Sequence, residues 1–335
     1  MLKIPYLIPA MPSAADLLPY LRRIDDTRRY TNDGPLVREL ESELCELTGA
    51  PAGVCVANCT AGLTAAALYL SGGKPFAASV PENTFAGTSQ AMCRAGADDI
   101  EYLGSSGWFV APKWNDYFQV PVCTFGMPIG PFLEWMRSKT IIDAASAIYT
   151  QRASEFLSVY SLHATKLLSS GEGGFIACRS EHEAEQLRAI INFGVHRIKS
   201  GKNVRLFEYG FNGKMSEYHA AVGLASLIDH AQRHSRHWNS WMHYSNNLST
   251  LDSMLPPAYG SGLGFPLRLP QSCDERNAID FFRAHGIEIR YGYAPFVRPS
   301  PEEKRFLCLP CYPLMDVSQV DRVSGVALQF LGGLA

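Results

Sequence analysis

Leu157-Ser158-Val159-Tyr160-Ser161-Leu162-His163-Ala164-Thr165-Lys166 runs through Leu167-Leu168-Ser169-Ser170 into Gly171-Glu172-Gly173-Gly174. Leu157 to Leu162 has the length and apolar character of a buried strand, and Gly174 to Cys178 reads as another. Between them the glycines allow a tight turn beside a ligand, because glycine tolerates backbone conformations closed to other residues. A lysine placed there is by itself weak evidence, since most lysines are solvated surface groups. Its meaning depends on what the rest of the chain puts around it.

Working outward, the same strand, turn, helix pattern recurs. Upstream, Gly53 to Ala57, Phe76 to Val80, Gln119 to Cys123 and Thr140 to Asp143 are short apolar strands. Helices are expected over Thr60 to Leu70, Thr84 to Arg94, Glu181 to Phe193 and, as one long piece, Ser216 to Arg233. Strands apolar on both faces and separated by helices argue for a mainly parallel sheet covered on both sides. Two amphipathic helices precede it. One is capped by Ser13 and is expected to bury Leu17, Leu18, Leu21 and Ile24; the other starts at Pro35 and buries Val37, Leu40, Leu44 and Leu47 before Gly49.

After about Ser235 the elements shorten. Pro256-Pro257 and the stretch Gly260 to Gly264 interrupt the chain. Phe265 to Leu269, a helix Glu275 to Ala284, a strand Ile287 to Tyr291 and a closing helix Val317 to Phe330 suggest a small α+β unit. The expected organisation is a large α/β domain over residues 1–235 and a small C-terminal α+β domain over 236–335.

Lys and Arg number 30 against 32 Asp and Glu, so the chain has no general attraction for polyanions and nucleic acid is an unfavoured partner. No apolar run reads as a signal segment or a membrane span, which points to the cytoplasm. The 9 cysteines show no disulfide framework. Cys308 and Cys311 have C-x-x-C spacing but no second pair, so a structural reading is preferred to zinc or redox chemistry. His230 and His234 are four apart on a helix, yet no third ligand suggests itself; a solvated or intersubunit basic face is expected, and no metal.

Several residues near strand ends share one chemistry. Pyridoxal phosphate (PLP) needs a lysine for its aldehyde, an acid for its ring nitrogen, donors for its phosphate and a platform for its ring. Lys166 supplies the amine. Asp143 ends a strand, where α/β proteins bind ligands; opposite charges about 4 Å apart gain about 4 kcal/mol at an effective dielectric of about 20, enough to keep a ring nitrogen protonated. Thr60 and Ala61 open a helix whose free N–H groups suit phosphate. Phe85 follows a strand and can lie against a ring. Each has an ordinary alternative: a capping aspartate, a plain helix start, a core aromatic.

Together these motifs resemble the DegT/StrS-type sugar-nucleotide aminotransferases, which are fold type I PLP enzymes. The resemblance rests on Ser161 to Lys166 with Gly171 to Gly174, on Asn58-Cys59-Thr60-Ala61, Thr84-Phe85, Asp143-Ala144-Ala145 and Gly210-Phe211-Asn212-Gly213-Lys214-Met215. Leu309-Pro310-Cys311-Tyr312-Pro313 is similar to the family's small-domain loop. The resemblance implies that Lys166 carries the cofactor as a Schiff base and Asp143 binds the ring nitrogen. It further implies that Thr60, Ala61 and Ser161 hold the phosphate and that Phe85 stacks on the ring. Asn212 would reach the phosphate of a neighbouring subunit, implying a homodimer with shared active sites, and Lys214 would meet the substrate's pyrophosphate. Ser146 touches the cofactor where the family usually has Gln or His, Cys59 stands where glycine is usual, and the loop between Asp143 and Lys166 is short. The implied reaction moves an amino group from glutamate to a nucleotide-linked keto-deoxysugar at C-4 or C-3. Alternatives are a PLP dehydratase on a similar substrate and a non-catalytic PLP-fold binding protein.

Overall fold

The computed structural model describes residues 3–82, 84–103, 117–129, 138–197, 203–251, 264–269, 273, 275–292 and 306–333. Pro256-Pro257 and all but the last residue of Gly260 to Gly264 lie outside the described residues.

Two helices lead in, α1 (Ala14–Thr27) and α2 (Pro35–Thr48), followed by β1 (Ala52–Val56), α3 (Cys59–Ser71), β2 (Phe76–Pro81), α4 (Ala86–Arg94) and β3 (Ala97–Leu103). Next come β4 (Phe118–Gln119), β5 (Ile141–Asp143), β6 (Leu157–Ser161), β7 (Gly174–Cys178) and α5 (Glu181–Ile190). One sheet has the order β1-β7-β6-β5 and another β3-β2-β4. Parallel bridges from Gln119 to Thr140 and from Val122 to Asp143 join them into one continuous surface. The mainly parallel expectation holds, with β7 running antiparallel to both β1 and β6. Sequence reading missed β3. Asp98, Asp99 and Glu101 on this edge strand leave its residues mostly exposed or half-buried, so it carries no apolar run.

Alternation along the strands builds a core on each face. Val54, Val56, Ile141, Val159 and Ile176 join Leu63, Ala66 and Leu187 of α3 and α5 in one cluster. Cys55, Ile142, Tyr160 and Phe175 join Leu36, Val37, Leu40 and Leu44 of α2 in the other. Ser13 caps α1 with a capping box, and Pro35 and Gly49 bound α2 as expected. Only Ile24 of α1 is buried, whereas Leu18 is 46% exposed, so its apolar face is more open than its pattern implied.

The chain continues through a hairpin of β8 (Val195–Arg197) and β9 (Asn203–Arg205) to α6 (Glu217–Leu227) and α7 (His230–Asn247). The single helix expected over Ser216 to Arg233 is thus two, parted at Ile228-Asp229. Residue 235 falls inside α7. The His230 to His237 segment is only partly solvated: Ala231, Gln232, Ser235 and Arg236 are exposed, whereas His237 is buried and Arg233 turns inward to the Ala10 carbonyl and to Asp229.

The C-terminal unit has β10 (Phe265–Arg268), α8 (Glu275–Ala284), β11 (Arg290–Tyr291), β12 (Phe306–Leu309) and α9 (Val317–Gly332), with an antiparallel sheet ordered β10-β12-β11. Its core gathers Trp241, Tyr244, Phe265, Leu307, Val323 and Phe330. Ile4, Tyr6, Phe125 and Met127 reach it from far earlier in the chain. Phe125 adopts a left-handed backbone (φ 53°), unusual for a bulky residue. Thr150 Oγ1 donates to the Gly126 carbonyl at 2.5 Å, and Gln151 Oε1 accepts from Ile129 N–H at 2.9 Å, holding the segment around it.

Candidate active site

The carboxyl ends of β1, β2, β5 and β6 open on one cavity of about 1060 Å³. Its lining brings together Thr60, Ala61, Phe85, Asp143, Ser146, Ser161, Lys166 and Asn212. This is the edge where parallel α/β sheets bind ligands. Gly174 lets the strands close up beneath it: a Cβ there would come within 2.8 Å of the Asn58 backbone at the start of α3.

Lys166 sits on the turn after β6, its N–H donating to the His163 carbonyl at 2.8 Å. Its Nζ donates to Ser146 Oγ at 2.7 Å. Burial disfavours the charged amine and brings its pKa down to about 8, against the pull of neighbouring Cys59 and Asp143. Asp143 ends β5 and is buried, which pushes its carboxyl above the usual range. Opposing that shift, Thr88 Oγ1 donates to Oδ2 at 2.7 Å and Ala145 N–H to Oδ1 at 3.1 Å, with Lys166 nearby.

The N-terminus of α3 supplies the anion end. Asn58 Oδ1 caps it by accepting from Ala61 N–H at 2.8 Å, so the Ala61 amide is engaged within the chain. The Thr60 amide belongs to the first turn and has no intrahelical partner. Ser161, buried at the end of β6, accepts from His163 N–H at 3.3 Å. Phe85 stands at the head of α4 with 65% of its surface exposed, an apolar ring left open at the cavity. His163 and Glu172 line the cavity too, 3.6 Å apart, while His163 Nδ1 lies 2.8 Å from Thr165 Oγ1.

The sequence profile of the DegT/DnrJ/EryC1/StrS aminotransferase family matches residues 13–101 and 138–327, most of the chain, including β1, β2, β5 and β6. The chain belongs to this family. It is 31% identical over 241 residues to a dTDP-4-amino-4,6-dideoxy-D-glucose transaminase of Shigella dysenteriae, a match covering 65% of this chain and 63% of that protein. The chain therefore spans less than two thirds of that relative's length. Among solved structures, a Bacillus cereus protein assigned as a PLP-dependent aminotransferase superposes with a TM-score of 0.82 at 24% identity, covering 97% of this chain and 99% of that one. Helicobacter pylori PseC, an aminotransferase involved in the biosynthesis of pseudoaminic acid, gives 0.84 at 15% identity, covering 99% and 100%. At these identities the likeness is one of fold, and the fold is that of the PLP-dependent aminotransferases.

Pyridoxal phosphate is accordingly the cofactor, and the residues of this DegT-family chain fit it. An amine, a buried carboxylate, an uncapped helix-start amide and an open apolar ring face one cavity, as a planar cationic ring with a phosphate and an aldehyde requires. Lys214 lies apart, beside a neighbouring cavity of about 420 Å³ with Arg29, Arg38 and Arg188. Its Nζ donates to Asn212 Oδ1 at 2.8 Å and stands 4.7 Å from the Phe193 ring centre. Thr88 is the member that sequence reading passed over. Its only hint was Thr84-x-x-x-Thr88, two hydroxyls spaced to share a helical face.

Among the described residues no group of three or more His, Cys, Asp or Glu side chains comes together as metal ligands. Tyr149 stacks on His234 with ring centres 4.3 Å apart and meets His230 Nδ1 at 3.3 Å. Cys308 and Cys311 are buried free thiols, and burial pushes the Cys308 thiol up to about 12.

Proposed function

We propose that this chain is a PLP-dependent aminotransferase that passes an amino group from glutamate to a nucleotide-linked keto-deoxysugar, at C-4. The observation that carries the reading is the pairing of Lys166 and Asp143 at one sheet edge, each held by a hydroxyl. When bound, the cofactor supplies an electron sink for the carbon that bears the amine. Lys166 holds the aldehyde end and, once released, takes and returns the proton at the substrate's α carbon. Burial, which brings its pKa down to about 8, favours the neutral amine that can accept that proton. Ser146 aims Nζ through its hydroxyl. Asp143 would hold the ring nitrogen, Thr60 and Ser161 would receive the phosphate with Ala61 lining its seat while its amide stays on Asn58, and Phe85 would cover the ring. The name of the Shigella relative, a sugar-nucleotide transaminase, supports the acceptor class and the C-4 position. Lysine at 166 favours transamination over dehydration, which family members with histidine there perform.

The active unit is proposed to be a homodimer with shared sites, in which Asn212 reaches the neighbouring phosphate and Lys214 the sugar nucleotide's pyrophosphate. Exposed Tyr30, Phe193 and Tyr218 support a partner on this side of the molecule. The division into a PLP domain (1–235) and a small domain (236–335) is retained as part of the proposal. So is a cytoplasmic setting, which nine free thiols favour; no helix among the described residues is long and apolar enough to cross a membrane.

The test is an absorption spectrum of the purified protein with PLP, before and after glutamate. A yellow band that bleaches with glutamate and returns with a 4-keto sugar nucleotide is the expected result. PLP binding without bleaching would overturn the donor, and absence of any yellow band in wild type would overturn the role of Lys166.

A further inference from the structure

Thr84, two residues before α4, and Thr88, in its first turn, are almost fully buried, at 3% and 1% exposure. Their oxygens lie 2.9 Å apart, and Thr88 Oγ1 lies 2.7 Å from Asp143 Oδ2. A threonine hydroxyl has one proton to give. Thr88 gives its proton to the carboxylate, so it must receive one from Thr84, and the two hydroxyls point in series at the acid. A protonated Asp143 would instead be a donor and would reverse the series. The direction of these bonds is therefore tied to the charge on the carboxylate.

We propose that Thr84 and Thr88 form a hydroxyl relay that keeps Asp143 ionised and aimed at the cofactor's ring nitrogen, making Thr88 a positioning residue for that acid. The inference rests on the reading of Asp143 given above. Its physical basis is the cost of a buried carboxylate, which falls as each oxygen gains a donor. Oδ1 has the Ala145 amide and Oδ2 has Thr88. Each oxygen retains lone-pair capacity for a ring N–H. Without Thr88, burial acts on Asp143 with one donor fewer, and the acid takes up a proton at higher pH.

The experiment measures PLP affinity of the purified protein against pH for wild type, Thr88→Val, Thr88→Ser, Thr84→Val and Asp143→Asn. Valine keeps the shape and removes the hydroxyl. Thr88→Val is expected to bind PLP about tenfold more weakly near neutral pH, with the acid limb of its affinity profile moved upward by about one pH unit. Thr88→Ser restores both to within about twofold, and Thr84→Val moves the acid limb the same way by a smaller amount. Should Thr88→Val fail to fold, Thr88→Ala replaces it in the same comparison. Affinity lost equally at every pH, or lost equally in the serine variant, would show that Thr88 only packs and would overturn the relay. Asp143→Asn separates the two ideas. If it weakens PLP binding while Thr88→Val does not, the relay fails and the reading of Asp143 stands. If neither has an effect, the assignment of Asp143 falls and the relay with it.

Discussion

At the sheet edge, Asp143 receives donors on both oxygens, Lys166 has Ser146, and Thr88 has Thr84. Along α7 the buried polar groups are treated differently. His234 Nε2, His237 Nε2 and Trp241 Nε1, together with Tyr312 OH, meet no hydrogen-bond partner among the described residues. Both regions are enclosed, yet α7 leaves ring nitrogens unbonded among the described residues while its Arg233 and Tyr244 bond the Ala10 and Pro310 carbonyls. A buried carboxylate needs partners at any cost to packing, whereas a neutral imidazole can be carried inside a well-packed aromatic core at a modest penalty. The sheet edge is built to hold charge, and α7 is built to hold shape.

The sharpest break of this contrast is at the charged end. Lys166→Ala is expected to lower turnover by about a thousandfold or more while the thermal unfolding midpoint stays near that of wild type; an unchanged rate sinks the assignment of the amine. Asp143→Asn, which keeps the shape and removes the charge, should cost about a hundredfold in turnover at saturating PLP.

A smaller effect is expected from acid acting on α7. Burial holds His237 neutral, its pKa down near 3, so the unfolded chain takes up a proton that the folded one refuses. Stability is then full above the ordinary histidine pKa of about 6.5 and falls as pH drops from there toward 3, by about 2 kcal/mol at pH 5. Denaturant titrations at pH 7.5 and pH 5 measure it. Asp143, whose carboxyl is raised, contributes with the opposite sign, which is why the comparison must be made against a His237 variant. His237→Phe should change stability at pH 7.5 by less than about 1 kcal/mol, because it removes the unpartnered Nε2 and loses only the long contact of Nδ1 with Cys311 Sγ at 3.8 Å. The same variant should lose most of the acid sensitivity; if it remains as acid-sensitive as wild type, the titrating group lies elsewhere.

Most of the cavity was legible in the sequence because its residues sit at strand ends, and strand ends are marked by a change from apolar to small and polar residues. Asp143 after Ile141-Ile142 and Lys166 beyond Ser161 are of this kind. Thr88 was not legible, since its partner is 55 residues away and only the fold brings them together. The edge strand Ala97–Leu103 was missed because solvent faces it and period and polarity gave no contrast. The break between α6 and α7 has neither glycine nor proline to announce it. There Arg233 bonds the Ser226 carbonyl and Asp229 locally and the Ala10 carbonyl from far along the chain, and only the last is beyond what local propensity contains.

Phe125 and Met127 pack in the C-terminal core, yet the residues just before them, Val122 to Thr124, form part of the cavity wall. During synthesis the strands that end at Cys178 are available long before Phe330 leaves the ribosome. At ordinary elongation rates of about 5–20 residues per second, the remaining stretch takes on the order of ten seconds. Over that interval Phe125 and Met127 lack the core they pack in, while Cys123 of the cavity wall already has its place beside Ile142 and Tyr160 in the large-domain core.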